Sequence, residues 1–416
     1  MELQINRIKP TIMHIDLNSC FASAEQQANP LLRGKPIAVA AYSSPNGCVL
    51  SPSIEAKCLG IKVGMRVKDA RLLCKNIVIR TPDPPKYRDI HLKFCKLFRD
   101  YSPLVVPKSI DEAVLDFADT AILYQSLVRV GKEIKQRMRI EIGDWISCNI
   151  GIAPNRFLAK LAASLHKPDG LDVIDHHNLL QVYAQAKLLD LNGINIRYQS
   201  RLNACGIFTP LDFFKASEEK LEKQIFRSIV GRYWYYKLRG FETDAIKPKR
   251  KSFGQTYSLG KPTDDPAKLA PMLMKLCEKM GRRLRRGNFV ASGIHLAILY
   301  WDRTFWHQSK LFHTTLFTTQ ELFAKIMLLF NYQTQLKTVA NLSVSCFGLQ
   351  SISTQQLSLF ELDQIRQRKL ARAVDKINDY YGEYVVTPAL MMGMHDLIID
   401  RVAFGGVREL EDLYAK

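Results

Sequence analysis

The most informative stretch for the fold is Lys108-Ser-Ile-Asp-Glu-Ala-Val-Leu-Asp116. It is typical of a β-strand and carries two adjacent carboxylates, Asp111 and Glu112. Residues Leu104–Pro107 are its predicted hairpin partner. An unpaired charge on a half-buried strand is costly. The acids are therefore either an exposed turn residue beside a salt-bridged neighbour, or half of a divalent-metal site, since carboxylate oxygens suit Mg²⁺. A third carboxylate in a similar setting would favour the metal site.

An acid of this kind, Asp16, lies near the end of the apolar strand predicted at Ile12-Met-His-Ile-Asp-Leu-Asn18. The stretch that follows, Phe21-Ala-Ser-Ala-Glu25, is predicted to start a helix. Taken alone, an acid between a strand and a helix is more typical of a turn or of a helix N-cap. Because Asp16 and Asp111 are far apart in the sequence, only the fold can bring them together.

The stretches Ile15 to Glu25 and Ser109 to Asp116 resemble the two signature motifs of the Y-family, or translesion, DNA polymerases. Asn18, where many members have a second Asp, is similar to the UmuC-type bacterial branch. The resemblance covers about residues 11–250 by motif and extends more loosely to the end. It implies an α+β multidomain fold: a right-hand polymerase with a ferredoxin-like palm, small fingers, a helical thumb and an α/β little-finger domain.

The resemblance also assigns roles at the predicted active site. Asp16, Asp111 and Glu112, with the backbone carbonyl of Leu17, are expected to hold Mg²⁺ ions, one at the primer 3′-hydroxyl and one at the triphosphate. Phe21 is expected to be the steric gate that excludes the 2′-hydroxyl of a ribonucleotide. Judged from the residues alone, an aromatic in the first turn of a helix is more typical of an ordinary core position.

Two lysines are expected to bind the triphosphate of the incoming nucleotide. Lys167 matches the family's Lys before Pro-x-Gly, although a Lys at this point is also typical of a helix C-terminus. Lys57 takes the position of a second cation, where many members have Arg, with a Tyr three residues earlier. This chain has Ile54 there, and Lys offers a phosphate a point charge instead of the bidentate fork of Arg.

The predicted domain boundaries follow the family pattern and the proline-rich breaks in the sequence. They are residues 1–22 and 86–178 for the palm, 23–85 for the fingers, 179–243 for the thumb, 244–252 for the linker, 253–350 for the little finger and 351–416 for the C-terminal tail. In the thumb, Asn192-Gly-Ile-Asn195 is similar to part of a helix-hairpin-helix, whose backbone N–H groups meet DNA phosphates. Gly193 is thus a DNA-binding candidate, although a helix-capping glycine explains it equally well.

The little finger is predicted to place two helices on a four-stranded sheet. The predicted strands named from the pattern are residues 254–259, 291–300 and 338–349, the helices are residues 268–286 and 321–329, and the tail adds a helix at residues 364–381. The four arginines near the end of the first helix are too dense for a merely solvated face. They are expected to grip the backbone of duplex DNA, and they are Arg282, Arg283, Arg285 and Arg286.

The charge balance supports a polyanion as partner. The formal net charge is +19, and residues 227–310 hold 18 Lys and Arg against six Asp and Glu. An anionic membrane is the weaker alternative, because no amphipathic anchor surrounds the arginines. No apolar run is long enough for a membrane span, and no signal-peptide pattern is found. The nine cysteines are scattered without a Cys-x-x-Cys pair, so we expect a reduced, cytoplasmic protein.

The tail contains the segment Gln356-Leu-Ser-Leu-Phe360. It resembles the pentapeptide with which bacterial polymerases bind the sliding clamp, and its binding residues would be Gln356, Leu357, Leu359 and Phe360. Apolar anchors beside a polar rim residue suit such a pocket. The alternative is that this segment folds back on its own domain.

The leading functional hypothesis is a template-directed DNA polymerase that carries out low-fidelity synthesis past damaged bases. Its substrates would be primer-template DNA and deoxynucleoside triphosphates, and its partners the clamp and damage-response accessory proteins. A catalytically weak or inactive DNA-binding relative is the main alternative, against which all three carboxylates count. A nucleotidyl cyclase on a similar palm would keep the acids without needing the arginine cluster.

Overall fold

The computed structural model describes residues 5–243, 250–333, 337–352, 362–394 and 397–398. These residues belong to two compact units that divide at residue 248. Within the described ranges, no helix is long and apolar enough to cross a membrane.

The first unit contains two sheets. Its strands are β1 (Ile12–Leu17), β2 (Ile37–Ala40), β3 (Val49–Pro52), β4 (Val78–Arg80), β5 (Leu104–Pro107), β6 (Glu112–Asp116), β7 (Cys148–Ala153) and β8 (Leu171–Val173). The larger sheet has the order β5-β6-β1-β7-β8, and the smaller one the order β3-β2-β4. β1 lies at the centre of the larger sheet and is antiparallel to both β6 and β7. The predicted hairpin of β5 and β6 is therefore confirmed.

Ten α-helices are described in the first unit. They are α1 (Cys20–Ala28), α2 (Ile54–Cys58), α3 (Val67–Leu73), α4 (Pro84–Arg99), α5 (Leu127–Glu141), α6 (Arg156–Leu165), α7 (Leu179–Gln185), α8 (Ile196–Ala204), α9 (Pro210–Lys215) and α10 (Val230–Leu238). A π-helical turn covers Lys220–Phe226. Residues of α4 and α5 share one core with β1, and residues of α6 to α10 belong to a second core with Ile12 and Val114. The larger sheet is therefore covered on both faces.

Gly151 in β7 explains how closely α6 approaches the sheet. A Cβ atom at this residue would lie 2.0 Å from the carbonyl oxygen of Ala159 and 2.2 Å from the backbone nitrogen of Ala163. Only glycine avoids this overlap with the backbone of the helix. The start of α6 is fixed by Asn155, whose side chain accepts a hydrogen bond from the N–H of Leu158. Together these contacts hold α6 directly beside β1.

The second unit is a four-stranded antiparallel sheet covered by helices. Its elements are β9 (Ser252–Thr263), α11 (Pro266–Arg286), β10 (Phe289–Tyr300), β11 (Phe305–Leu316), α12 (Thr319–Phe330), β12 (Val339–Ser351) and α13 (Leu362–Tyr381). The strand order is β11-β10-β12-β9. The predicted architecture is confirmed, but β11 was missing from the strands named in the sequence. Its side chains are largely exposed, so no clear apolar alternation marks it.

Candidate active site

Three carboxylates lie close together at one end of strands β1 and β6 of the larger sheet. Asp16, near the end of β1, lies opposite Glu112 in the antiparallel pairing with β6. The backbone N–H of Leu17 donates to the carbonyl oxygen of Asp111 at 2.9 Å, so Asp111 is held at the same end of the strands. Directly opposed side chains on antiparallel strands have Cβ atoms about 5 Å apart. The fold thus brings together acids from sequence motifs about 95 residues apart.

Two lysines contact these acids. Lys160 of α6 donates to both carboxylate oxygens of Glu112, at 2.8 and 3.0 Å. Lys167, which follows α6, forms an ion pair with Asp16. Two of the three carboxylates are therefore paired with ammonium groups of this chain.

Asp111 has a different environment. Its Oδ1 atom accepts a hydrogen bond from Ser109 Oγ at 2.5 Å. Burial raises the pKa of Asp111, the charges of Asp16 and Glu112 raise it further, and the Ser109 hydrogen bond lowers it. A bound cation would favour the ionised form of this carboxyl group, because it would offset both burial and repulsion.

The three acids line a cleft of ≈ 520 Å³. Phe21 lines it from the first turn of α1, and the residue is only 6% exposed. Lys57 lines it from α2, whose N-cap is Ser53. Burial of the Lys57 ammonium group and repulsion by Lys167 lower its pKa, while Asp16 and Asp111 raise it. The cleft thus contains every residue predicted for metal, sugar and triphosphate binding.

The chemistry of the acids fits Mg²⁺, although their arrangement here is not yet that of a metal site. Among the described residues, no group of three or more His, Cys, Asp and Glu side chains is arranged to hold a metal ion. Glu112, Asp16 and Asp111 instead each face a donor of this chain, namely Lys160, Lys167 and Ser109. Rotation of the two flexible lysine side chains would free hard oxygen ligands of the kind that Mg²⁺ prefers.

Gly193 lies in the turn before α8. Its φ angle is +105°, and a Cβ atom would lie 3.1 Å from the ring of Trp234. The turn itself therefore requires glycine, whatever the residue binds. A DNA contact at Gly193 stays a prediction.

The arginine cluster of α11 requires a correction, because we expected all four members to grip DNA. Arg282 and Arg285 are 6% and 7% exposed. Arg285 forms a two-point ion pair with Asp375 of α13, with distances of 2.5 and 2.8 Å. Arg282 Nη2 lies 2.8 Å from Asp379 Oδ1 of the same helix. These two guanidinium groups are bound by the chain's own acids and present no free charge to DNA.

The other two arginines of the cluster are more accessible. Arg286 is exposed and donates to Asp379 at 2.6 Å. Arg283 is half-buried and donates to the carbonyl oxygen of Gly254 at 3.2 Å. The predicted clamp segment, residues 356–360, and most of the predicted linker lie outside the described residues.

Sequence analysis missed three residues of the site region. Lys160 had a signal, because it is a single charged residue within the apolar run Phe157-Leu-Ala-Lys-Leu-Ala-Ala163. His14 of β1 is buried beside Glu112, with 3.8 Å between its Nε2 atom and the carboxylate. Burial is the largest cause that lowers the pKa of His14 to about 3, so its ring is neutral. Tyr87 of α4 stacks on Phe21, a tertiary contact that no local pattern indicates.

Comparison with known proteins identifies the class to which this fold and site belong. Residues 15–164 match the impB/mucB/samB family, and residues 250–359 match the C-terminal domain of that family. DNA polymerase IV of Moorella thermoacetica is 32% identical over 396 residues, which cover 92% of this chain and 96% of the relative. DNA polymerase IV of Pelotomaculum thermopropionicum is 29% identical over 387 residues, with 92% and 95% covered.

Solved structures agree with this result. A Y-family DNA polymerase chimera of Dbh and Dpo4 has a TM-score of 0.72 and 23% identity, over 82% of this chain and 99% of that one. An insertion ternary complex of Dbh DNA polymerase has a TM-score of 0.57 at the same identity and coverage. At this identity the likeness establishes the fold.

The chain therefore belongs to the impB/mucB/samB family of Y-family DNA polymerases. It is a DNA-directed DNA polymerase of the translesion type, similar to the DNA polymerase IV of Moorella thermoacetica. The assignment to the UmuC-type branch is not supported, because the relatives are DNA polymerase IV proteins. The departures on which that assignment rested, Asn18 and the pair Lys57 and Ile54, do not decide the branch.

Proposed function

We propose that the polymerase adds deoxynucleotides to a primer 3′ end by a two-metal reaction at the cleft of Asp16, Asp111 and Glu112. The observation that carries this proposal is the cross-strand pairing of Asp16 with Glu112, beside the Leu17–Asp111 hydrogen bond. These acids, with the carbonyl oxygen of Leu17, would hold two Mg²⁺ ions. Bound Mg²⁺ would lower the pKa of the primer hydroxyl and neutralise charge that develops on the triphosphate.

The lysines of the cleft would act on the nucleotide. Lys167 forms an ion pair with Asp16, and the charges of Asp16 and Asp111 act on the pKa of Lys57, so both lysines lie near the acids, which supports a role on a triphosphate held there. Each supplies a point charge, so neither fixes a phosphate in a bidentate geometry. On entry of the nucleotide, Lys167 would exchange the Asp16 carboxylate for a phosphate oxygen.

Phe21 would select the sugar. Phe21 lies five residues after Asp16, and its ring lines the cleft. Because Phe21 is almost completely buried, its ring is held in place. An aromatic ring against C2′ of the nucleotide leaves no space for the 2′-hydroxyl, the group that distinguishes RNA from DNA precursors.

The partners proposed for the chain are primer-template DNA, the bacterial sliding clamp and damage-response accessory proteins. Ternary complexes are known for the Dbh polymerase, which supports binding of DNA and nucleotide by a similar fold. In the first unit Gly193 would contribute a backbone contact to DNA, and in the second unit Arg283 and Arg286 would meet phosphates. Gln356, Leu357, Leu359 and Phe360 would bind the clamp.

Primer extension tests this proposal. The double variant Asp111→Ala with Glu112→Ala should have no detectable extension and should bind primer-template DNA as the wild type does. Extension by the double variant at close to the wild-type rate would contradict the assignment. Loss of extension together with loss of DNA binding would indicate damage to the fold, which a thermal unfolding curve measures independently.

A further inference from the structure

Phe21 and Tyr87 form an aromatic pair on the protein side of the cleft. Their ring centroids are 4.4 Å apart, and the rings are inclined by only 14°. Tyr87 is fully buried and does not line the cleft, whereas Phe21 does. The Tyr87 ring therefore packs behind Phe21 and prevents the Phe21 ring from moving away from a bound nucleotide.

The Tyr87 ring is itself fixed from the helix that carries Phe21. Its hydroxyl group donates to Glu25 Oε1 at 3.0 Å. Glu25 lies four residues after Phe21 on α1, so both side chains project from the same face of the helix. Phe21, Tyr87 and Glu25 thus form a closed loop of contacts from α1 to α4 and back.

Glu25 is costly to bury at this place, because the residue is only 3% exposed and carries a charge. Lys86, the neighbour of Tyr87 on α4, offsets this cost with contacts of 3.0 Å to both oxygens. Burial is the largest cause that raises the pKa of the Tyr87 hydroxyl, and the nearby Glu25 carboxylate raises it further. The hydroxyl group thus stays protonated and can always donate.

We propose that Glu25 and Tyr87 are positioning residues for sugar selection, which set how far the Phe21 ring extends toward the nucleotide. This inference rests on the proposed role of Phe21 as the steric gate. The Phe21 ring can exclude a ribonucleotide only if it does not move by the fraction of an ångström that would make room for the 2′-hydroxyl. Packing contacts weaken over such a distance, so the ring has to be held in place. The hydrogen bond from Tyr87 to Glu25 supplies this stiffness without touching the nucleotide.

The test compares kcat/KM for a ribonucleotide and the matching deoxynucleotide in the full-length enzyme. Tyr87→Phe removes only the hydroxyl group, and we expect selectivity to fall roughly tenfold, the scale set by one hydrogen bond to a charged group. Insertion of the deoxynucleotide should stay within about twofold of wild type. Glu25→Ala should match Tyr87→Phe, and Glu25→Gln should restore selectivity, because its amide oxygen still accepts from the hydroxyl group.

Lys86→Ala is the matched control, because it removes the nearer of the two cations that pair with Glu25, leaving Arg80 Nε at 3.9 Å, and leaves the Tyr87 hydrogen bond available. Its selectivity should equal that of the wild type. Unchanged selectivity in Tyr87→Phe, or an equal loss in Lys86→Ala, would overturn the proposal. Thermal unfolding of each variant identifies any that lose the fold, and Tyr87→Phe alone still decides the matter if Glu25→Ala does not fold.

Phe21→Ala separates this inference from the gate on which it rests. If Phe21→Ala loses discrimination and Tyr87→Phe keeps it, the gate is correct and the positioning role is wrong. If Phe21→Ala itself keeps discrimination, the gate assignment fails first.

Discussion

Lys160 and Glu112 form a two-point contact in the active-site cleft, with nitrogen–oxygen distances of 2.8 and 3.0 Å. The ammonium group occupies space next to an acid that is proposed to bind metal. Lys160 therefore stabilises the cluster of carboxylates while no metal is bound, and the same contact has to be broken before Glu112 can become a ligand.

Lys160→Met should lower the Mg²⁺ concentration that gives half-maximal activity. The expected change is about threefold, because a partly exposed ion pair contributes about 0.2–1 kcal/mol. The measurement is a magnesium titration of single-nucleotide insertion. Lys93→Met, at an exposed pair with Asp89, is the control. A half-maximal concentration that rises or stays unchanged would show that Lys160 does not compete with the metal.

Asp375→Ala should destabilise the second unit by about 3–5 kcal/mol, because it leaves the buried guanidinium group of Arg285 without its main partner. Chemical denaturation of the full chain measures this difference in unfolding free energy. Lys376→Ala, at the exposed neighbouring residue, should change it by less than about 0.5 kcal/mol. Equal stability of Asp375→Ala and wild type would mean that α13 does not fix the arginines.

Asp379 should stabilise the fold in a pH-dependent way. Burial raises its pKa, but the hydrogen bonds and charges of Arg286 and Arg282 outweigh this and place the pKa below its ordinary value of 3.8. A carboxylate with a depressed pKa contributes stability above the unfolded-state value and loses it as the pH falls through the folded-state value. The stability difference between wild type and Asp379→Asn should thus be constant near neutral pH, start to fall near the unfolded-state pKa of about 4, and disappear only when the pH drops below the folded-state pKa. A difference that persists in acid would contradict the ion pair.

Leu359→Ala with Phe360→Ala should leave clamp-free, distributive synthesis unchanged and abolish stimulation by a loaded sliding clamp. The physical reason is tethering, because a clamp that encircles DNA raises the effective concentration of the polymerase at the primer end. Product lengths with and without a loaded clamp measure the effect. Equal stimulation of variant and wild type would show that residues 356–360 do not bind the clamp.

The site could be predicted where local motifs carry it, and not where distant packing does. Asp16 and Asp111 each lie in or beside a recognisable strand pattern, but the pairing of β1 with β6 that brings the two motifs together is visible only in the fold. The acids that form ion pairs with Arg282 and Arg285 lie about 90 residues downstream on α13. The dense run of arginines in the sequence does not indicate these partners. Only the tertiary fold reveals that these charges are neutralised inside the protein.

The same limit applies to the support of Phe21. Its aromatic character and its place in α1 follow from the sequence, but the stacking on Tyr87 depends on how α1 and α4 pack. The helix positions are visible in the periodicity of the sequence, whereas the orientation of one helix on another is not. The place of Phe21 in the cleft could thus be predicted, and the residue that stacks on it could not.

The most direct test of the central claim is the rate of single-nucleotide insertion by Asp16→Ala in saturating Mg²⁺, with affinity for primer-template DNA measured on the same sample. The matched control is Asp116→Ala, at the other end of β6, where the carboxylate accepts from the N–H of Ala118. We expect Asp16→Ala to lose on the order of 10³-fold or more in rate with DNA affinity nearly unchanged, and Asp116→Ala to keep both. Insertion by Asp16→Ala at a rate close to that of Asp116→Ala would contradict the account.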